Sequence, residues 1–548
     1  MASNRISKRL KRTTLAAALG LCFMGGVHAQ TNTAGAVAGR AASGDTITVS
    51  NPATGFSRTI TAGSDGSFRF SQLPIGQYTV TRNGGSPRQV TVNVGTAANV
   101  DYSGAAAAPG GQELETVEVV GTGAINPIDV TSVESTTILT AEQIAKIPVP
   151  LDTTSVALLA PGTVRGDAAF GNLASFGGAS VAENAYYVNG FNITNSFRNL
   201  NFSQVPFEAI QEQQIKTGGY GAEFGRSLGG VVNQITKRGT NEFKAGGNIF
   251  WRPDWGREDV KDVYLTNGTL RQDNSQDSVQ GYSASVWAGG ALIKDRLFAY
   301  GLASYNYVEN ETFGSIVAST NVHDEIKSPT WLLKMDWNIT DKHILEFTAF
   351  SDKQNTDQSV YNNPLGVVQR GSFLGMNFLE QGGDNYILKY TGYITDTFTL
   401  SALYGYGKFS RSQHLRTADG QEVAYTGDIT STGSGCPQIV DARPQYRRDL
   451  TGVYASTCNI TNGTIERNDS GDTRKQFRVD AEWQLGDHLL RFGYDEDNFT
   501  SKAGVAIEGG YQWRYTTAAG PDGITGTADD VDRVRQQFFQ QGATVEVK

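Results

Sequence analysis

Phe477-Arg478-Val479-Asp480-Ala481-Glu482-Trp483-Gln484-Leu485 is the stretch on which the reading of this chain turns. Successive side chains of a strand point to opposite sides, so Phe477, Val479, Ala481, Trp483 and Leu485 share one face and Arg478, Asp480, Glu482 and Gln484 the other. A turn at Gly486-Asp487 follows, and the returning leg sets Leu490, Phe492 and Tyr494 against Arg491, Gly493 and Asp495. Both legs have a greasy side and a wet side: one can meet lipid, the other water. The same rhythm runs from Asn241 to Lys548 in segments of about ten residues. Trp331, Leu333, Met335 and Trp337 alternate with Lys334, Asp336 and Asn338, and Phe398, Leu400, Ala402, Tyr404 and Tyr406 alternate with Thr399, Ser401 and Gly405.

The connections between these segments sort by length. If the first strand, Asn241 to Arg252, runs outward from the periplasm, parity assigns every later connection. Pro253 to Asp277, Asn310 to Lys327, Gln354 to Gly383 and Ser412 to Thr473 become external loops; Leu292 to Asp295, Thr340 to Lys342, Thr395 to Thr397 and Gly486 to Asp487 become periplasmic turns. Short connections all fall inside and long ones outside, as an outer-membrane β-barrel requires. About ten strands are expected before Lys548, with Val545 and Val547 still alternating. An open set of strands would leave unpaired backbone groups in lipid, each costing several kcal/mol. The expectation is therefore a truncated barrel that does not close a functional pore by itself.

Composition agrees with a mainly β chain: 548 residues hold 64 Gly against 15 Pro, and aromatics make up 10%. Arg5, Lys8, Arg9, Lys11 and Arg12, the apolar run Leu15 to Val27, and Val27-His28-Ala29 read as a signal peptide over residues 1–29. No other window approaches the ~20 apolar residues of a spanning helix. Loss of those five cations takes the formal charge from −9 to −14, which argues against nucleic acid as a partner. Cys436 and Cys458, an even pair in an oxidising compartment, read as a disulfide closing one long polar segment. His323, His343, His414 and His488 are too scattered for a zinc or nucleophile constellation, so no catalytic residues are assigned and no enzyme is expected.

Residues 30–104 carry short β-prone runs, Ile47 to Val49, Thr59 to Thr61, Ser67 to Phe70, Gln77 to Val80 and Gln89 to Val92, spaced by polar turns as in a β-sandwich. Residues 105–123 are an Ala/Pro/Gly linker followed by Glu113, Leu114, Glu115, Thr116, Val117, Glu118, Val119 and Val120, a β-branched segment able to add as a strand to another protein's sheet. Residues 124–240 read as a small α/β domain. Thr140 is an N-cap for a helix over Ala141 to Ile144, Leu151 to Leu159 suggests a second helix, and Asn189-Gly190 sits between β-prone residues as a hairpin turn. Ile210 to Lys216 is a further strand. Gly218 to Gly221 could be taken for a phosphate loop, but no helix start follows to aim amides at a phosphate, so these glycines read as a tight turn.

Several motifs carry a family resemblance. Asp65-Gly66-Ser67-Phe68-Arg69-Phe70 with Leu73-Pro74-Ile75-Gly76-Gln77-Tyr78 resembles the carboxypeptidase-regulatory-like domain, without peptidase residues. Tyr187-Val188-Asn189-Gly190, the strand ending at Lys216, Tyr220-Gly221-Ala222-Glu223-Phe224-Gly225 and Gly229-Gly230-Val231-Val232-Asn233-Gln234-Ile235-Thr236-Lys237 follow one another as in the plug of TonB-dependent outer-membrane receptors, most like the Oar-like subgroup. The resemblance implies an N-terminal sandwich, a plug at 124–240 and an incomplete barrel at 241–548 of a wall that closes with about 22 strands in the family. It implies that Glu113 to Val120 is a TonB box held by a TonB-type energy-transducing protein, that outer-membrane lipid surrounds the wall, and that an extracellular ligand meets the plug. Candidate ligand-facing residues are Arg165, Asp167, Asn172, Phe176, Arg198 and Asn199, each of which has packing inside the barrel as its competing role. Lys216-Thr217-Gly218-Gly219 stands where siderophore receptors carry Arg-Gly-Pro, which leaves the ligand class open. The other reading of the whole chain is a surface adhesion or cell-organisation protein without active uptake. No cofactor is expected, save that Asp522, Asp529, Asp530 and Asp532 offer oxygen ligands for Ca²⁺ in an external loop, with a solvated acidic loop as the alternative.

Overall fold

The computed structural model describes residues 33–102, 134–150, 152–167, 171–195, 197, 200–225, 227–314, 320–363, 369–423, 425, 438–443, 453–454, 460–461, 463–486, 488–524, 526–537 and 540–547. The signal peptide, the segment Glu113 to Val120, Arg198, Asn199, Cys436 and Cys458 lie outside the described residues.

The N-terminal strands Gly35–Arg40, Thr46–Asn51, Phe56–Thr61, Ser67–Leu73, Gly76–Arg82, Arg88–Val92 and Ala97–Asp101 form a β-sandwich of a four-stranded and a three-stranded sheet. Period-two alternation drives Ile47, Val49, Phe68, Phe70, Tyr78 and Val80 into one core. Gly35–Arg40 and Ala97–Asp101 are Ala- and Gly-rich and show no such pattern in the sequence. They pair with each other in parallel, each anchored by one valine, Val37 and Val100.

The plug is a five-stranded sheet in the order Phe191–Asn192, Ala185–Val188, Val231–Thr236, Ile210–Gly218, Ser135–Thr140. Thr140 caps the helix Ala141–Ile144 in a reciprocal box with Gln143, as expected. The second helix is shorter than its apolar run, Thr153–Ala157, because the Asp152 carboxylate takes the Ser155 amide and sets its start. Asn189 and Gly190 have φ of 48° and 87°, the two left-handed positions a tight hairpin needs. Among the described residues no helix follows Gly218 to Gly221.

From Lys244 onward the chain builds one antiparallel wall: Lys244–Arg252, Ser278–Ile293, Leu297–Thr312, Thr320–Thr340, His343–Ser351 continued by Gln354–Asn362, Phe373–Gly382 continued by Asp384–Tyr393, Phe398–Thr417, Gly471–Leu485, His488–Ile507 and Gln540–Val547. Among the described residues no ladder joins its first and last strands, and no helix is long and apolar enough to cross a membrane.

The opening stretch behaves as its alternation predicts. Trp483 is 41% and Phe492 59% exposed on the outer face, whereas Arg478 and Glu482, at 4% each, are buried on the inner face. Apolar side chains outside and charged ones inside are the reverse of a water-soluble fold. Tyr404 lies opposite Phe477 and Phe398 opposite Trp483, so the outward aromatics form bands across neighbouring strands.

The expected external loops need correction. Gln354 to Gly383 is mostly a β-hairpin, and the strands around Asn310 to Lys327 and Ser412 to Thr473 run well into those segments. Above the lipid both faces of a strand meet water or neighbouring polar groups, so the hydrophobic alternation stops while the backbone ladder continues. Val360, Leu374, Leu415, Val423, Ile460 and Ile465 give these extensions a small apolar core of their own.

Candidate functional site

The plug meets the inner face of the wall, and that interface is the candidate site. Its centre is the Asn189-Gly190 hairpin. The turn projects Phe191 against Gly405 and Gly407 of the strand Phe398–Thr417, where a Cβ on Gly405 would lie 2.1 Å from Phe191 Cδ2. Around the ring the backbone is tied down: Asn192 N donates to Gln476 Oε1 (3.0 Å), Arg474 donates to Asn192 O (3.0 Å), and Asn189 Nδ2 donates to Thr236 Oγ1 (2.8 Å) and Thr348 Oγ1 (3.0 Å). Val188, Phe191 and Ile193 continue into the inward-facing Leu302, Leu332, Phe350, Ile387 and Leu403 of the wall. The inner face expected to be simply wet is thus part apolar, because the plug covers it.

Two charged clusters flank this seam. On the periplasmic side Arg238, just past the last plug strand, pairs with Asp336 (2.7 Å) and Glu346 (3.8 Å); Lys389 reaches Glu346 (3.2 Å), and Lys334 lies within 4.0 Å of both carboxylates. The other cluster centres on Glu223 of the Tyr-Gly-Ala-Glu-Phe-Gly turn. Arg491 pairs with its carboxylate (3.1 Å) and Arg478 donates to its backbone carbonyl (3.2 Å). A cavity of about 470 Å³ opens beside it, lined by Tyr187, Arg478, Asp480, Arg491 and Asp495 among others. Sequence reasoning missed these roles. The only local signal was the unusual density of charge on strand faces that lipid could not accept.

At the outward end, Gln204 N donates to Asp352 Oδ2 (2.8 Å) and the Arg411 guanidinium lies 4.2 Å over the Phe197 ring. Of the sequence-predicted residues, Arg165, Asp167 and Asn172 are exposed on a small hairpin formed by Thr163–Arg165 and Ala174–Phe176. Phe176 is buried in the plug with its ring against Gly230, a packing position. In the acidic loop, Asp529 accepts the Asp522 amide, Asp530 the Gly526 amide, and Asp532 pairs with Arg443 (2.8 Å). Asp529 and Asp530 hold their own turn, Asp532 ties the loop to Arg443, and among the described residues no group of three or more His, Cys, Asp or Glu is arranged to hold a metal.

Residues 129–231 match the TonB-dependent receptor plug domain family and residues 299–541 the outer membrane beta barrel domain family. The TonB-dependent transporter Oar of Myxococcus xanthus is 28% identical over 318 residues, an alignment covering 54% of this chain and 28% of Oar. Among solved structures, the outer membrane transporter YddB from Escherichia coli aligns at 13% identity and a TM-score of 0.45, covering 75% of this chain and 53% of that one. The siderophore receptor PirA from Acinetobacter baumannii aligns at 16% identity and a TM-score of 0.36, covering 75% and 68%. The match to the curated relative thus spans little more than a quarter of that relative's length.

A plug domain seated on the inner face of an outer-membrane wall defines the class: the chain belongs to the TonB-dependent receptors, a family of receptors and transporters. Its similarity to Oar fits the Oar-like subgroup, and its place is the Gram-negative outer membrane with the plug toward the periplasm.

Proposed function

We propose that this receptor takes up a scarce or large extracellular ligand, with the plug as gate and with energy delivered by a TonB-type inner-membrane partner that grips Glu113 to Val120 by strand addition. The observation that carries this reading is the way the plug is seated. Around the Phe191 notch it is held by hydrogen bonds and ion pairs to the wall. Polar contacts of this kind exchange for water when both partners are re-solvated, at a net cost of about 1 kcal/mol for a neutral hydrogen bond and more for the charged pairs. The polar part of the seat can thus be left and regained, while the apolar contacts at Phe191 set the larger part of the work. Arg165, Asp167 and Asn172, exposed on one hairpin, together with Arg198 and Asn199 further along the plug sequence, are the residues offered to the ligand. Cys436 and Cys458 brace the long external segment as a disulfide.

The test is deletion of Glu113 to Thr122 in the receptor as the cell makes it, followed by growth on iron-, peptide- and glycan-limited media. Growth should fall to the level of a receptor-null strain on at least one medium, with receptor abundance in the outer membrane unchanged. Growth like the parent on every medium where the null strain fails overturns the energised-uptake reading.

A further inference from the structure

The N-terminal sandwich is not a loose appendage. Arg58 donates to the carbonyls of Thr395 (3.1 Å) and Asp396 (3.3 Å) in one periplasmic turn, and its guanidinium lies 4.3 Å over the Tyr393 ring. Tyr393 Oη donates to Gln72 O (2.8 Å), and Gln72 Nε2 donates to Glu482 Oε1 (3.0 Å) on the inner face of another wall strand. Gly55 faces Asp295 in a second periplasmic turn so closely that a Cβ would lie 2.1 Å from the carboxylate, and the Asn241 amide donates to Ala53 O (2.7 Å). The same sandwich also holds the plug. Val94 N donates to Glu212 Oε2 (2.8 Å), Gln214 Nε2 donates to Val94 O (3.0 Å), and Ile75 and Val94 pack on Ile235.

Arg58, Gln72, Glu212, Gln214 and Glu482 are all buried in this contact, and Ile344 and Tyr393 of the wall join the sandwich's own core. Buried polar groups paired across several elements form a specific interface, because each would cost about 1–3 kcal/mol if left without its partner.

We propose that the sandwich is a periplasmic bolt: it fastens the plug to the wall turns from below, and the plug cannot leave the barrel until the sandwich undocks. Connectivity places the bolt on the line of force. The segment Glu113 to Val120 lies between the last sandwich strand, Ala97–Asp101, and the first plug strand, Ser135–Thr140. Traction on it therefore loads sandwich and plug together. The sandwich takes that load on a strand at the end of its three-stranded sheet.

The test needs neither ligand nor energy source, so its failure would leave the uptake reading standing. In receptor purified from outer membranes, Arg58→Ala and Gln72→Glu, the latter setting a carboxylate against Glu482, are compared with the parent by hydrogen exchange. The Val94 and Asn241 amides report docking, and the amides of Ile210–Gly218 report the plug. Each variant should speed exchange at the docking amides and, with them, at the plug strand by about tenfold. If the docking amides speed up while the plug strand keeps parental protection, the bolt is refuted, and this holds equally should a variant unfold the sandwich. Parental protection at the docking amides in both variants would also overturn it, since Arg58 and Gln72 would then not fasten anything.

Discussion

Gly405 marks a close approach of plug and wall, since only a hydrogen fits beneath the Phe191 ring. Gly405→Val should displace that ring at a cost of about 1–3 kcal/mol, and Phe191→Ala should cost about 3–5 kcal/mol through the cavity it leaves. Both should lower the urea concentration at which a protease first cuts the plug, while the urea concentration at which it first cuts the wall stays at the parental value. Unchanged resistance would show that the ring does not seat the plug. Arg238 is a second such point, because Asp336 is fully buried beside it. Removing one partner of a buried pair strands the other charge, so Arg238→Ala should cost about 3–5 kcal/mol, and Arg238→Lys should restore only part because it lacks the planar fork. Thermal unfolding in detergent checks the order of the three proteins. Glu212 supplies a pH dependence: burial pushes its carboxyl up to about 7 from 4.5, with the Val94 amide opposing part of the rise. A carboxyl raised on folding contributes stability that is full below its unfolded pKa and is lost as pH rises through the folded value. Between pH 5 and pH 8 the parent should therefore lose more plug stability than Glu212→Gln, and parallel curves would dismiss the effect.

At the scale of the element, each wall strand is a two-sided object whose faces answer to different solvents. Phe492 and Arg491 are neighbours in sequence, yet Phe492 faces outward and Arg491 pairs with the plug's Glu223. A charge placed on the lipid side is penalised by depth, about 2–4 kcal/mol for Arg or Lys at the midplane and little near the interfaces. Phe492→Lys should thus destabilise the wall in a bilayer more than Tyr494→Lys, which lies nearer the outward end of the strand. Denaturant unfolding in lipid vesicles measures both, and equal penalties would mean that these positions do not differ in depth. Strand length follows from the same two-solvent logic. Thr320–Thr340 is alternating near Trp331 to Trp337 but not near His323 to Lys327, although one ladder runs through both.

In the whole molecule, sandwich, plug and wall converge on one place. Pro74 and Ile75 of the sandwich, Ile235 and Arg238 of the plug region, and Lys334, Glu346 and Lys389 of the wall line the same small cavity. Arg58 lies over the Tyr393 ring, and Arg238 acts electrostatically on the same tyrosine, so changes at the two should couple. The double variant Arg58→Ala with Arg238→Ala should deviate from the sum of the single effects by about 0.5–3 kcal/mol, where separate units would add. Strict additivity in a double-mutant cycle would mean three bodies that merely touch.

The period-two alternation from Phe477 to Tyr494, the short periplasmic turns, the Asn189-Gly190 turn and the Thr140 cap were all legible in the sequence, because each is set by neighbours within a few residues of one another. Tertiary structure alone decided the glycine notch for Phe191, the pairing of Arg238 with Asp336, the strands Gly35–Arg40 and Ala97–Asp101, and the docking of Arg58 and Gln72 onto the wall. Their partners lie far apart in the chain, and no local periodicity records which inward-facing charge will meet which. Burial beside a particular neighbour fixes their roles, and only strand register and domain packing supply that neighbour.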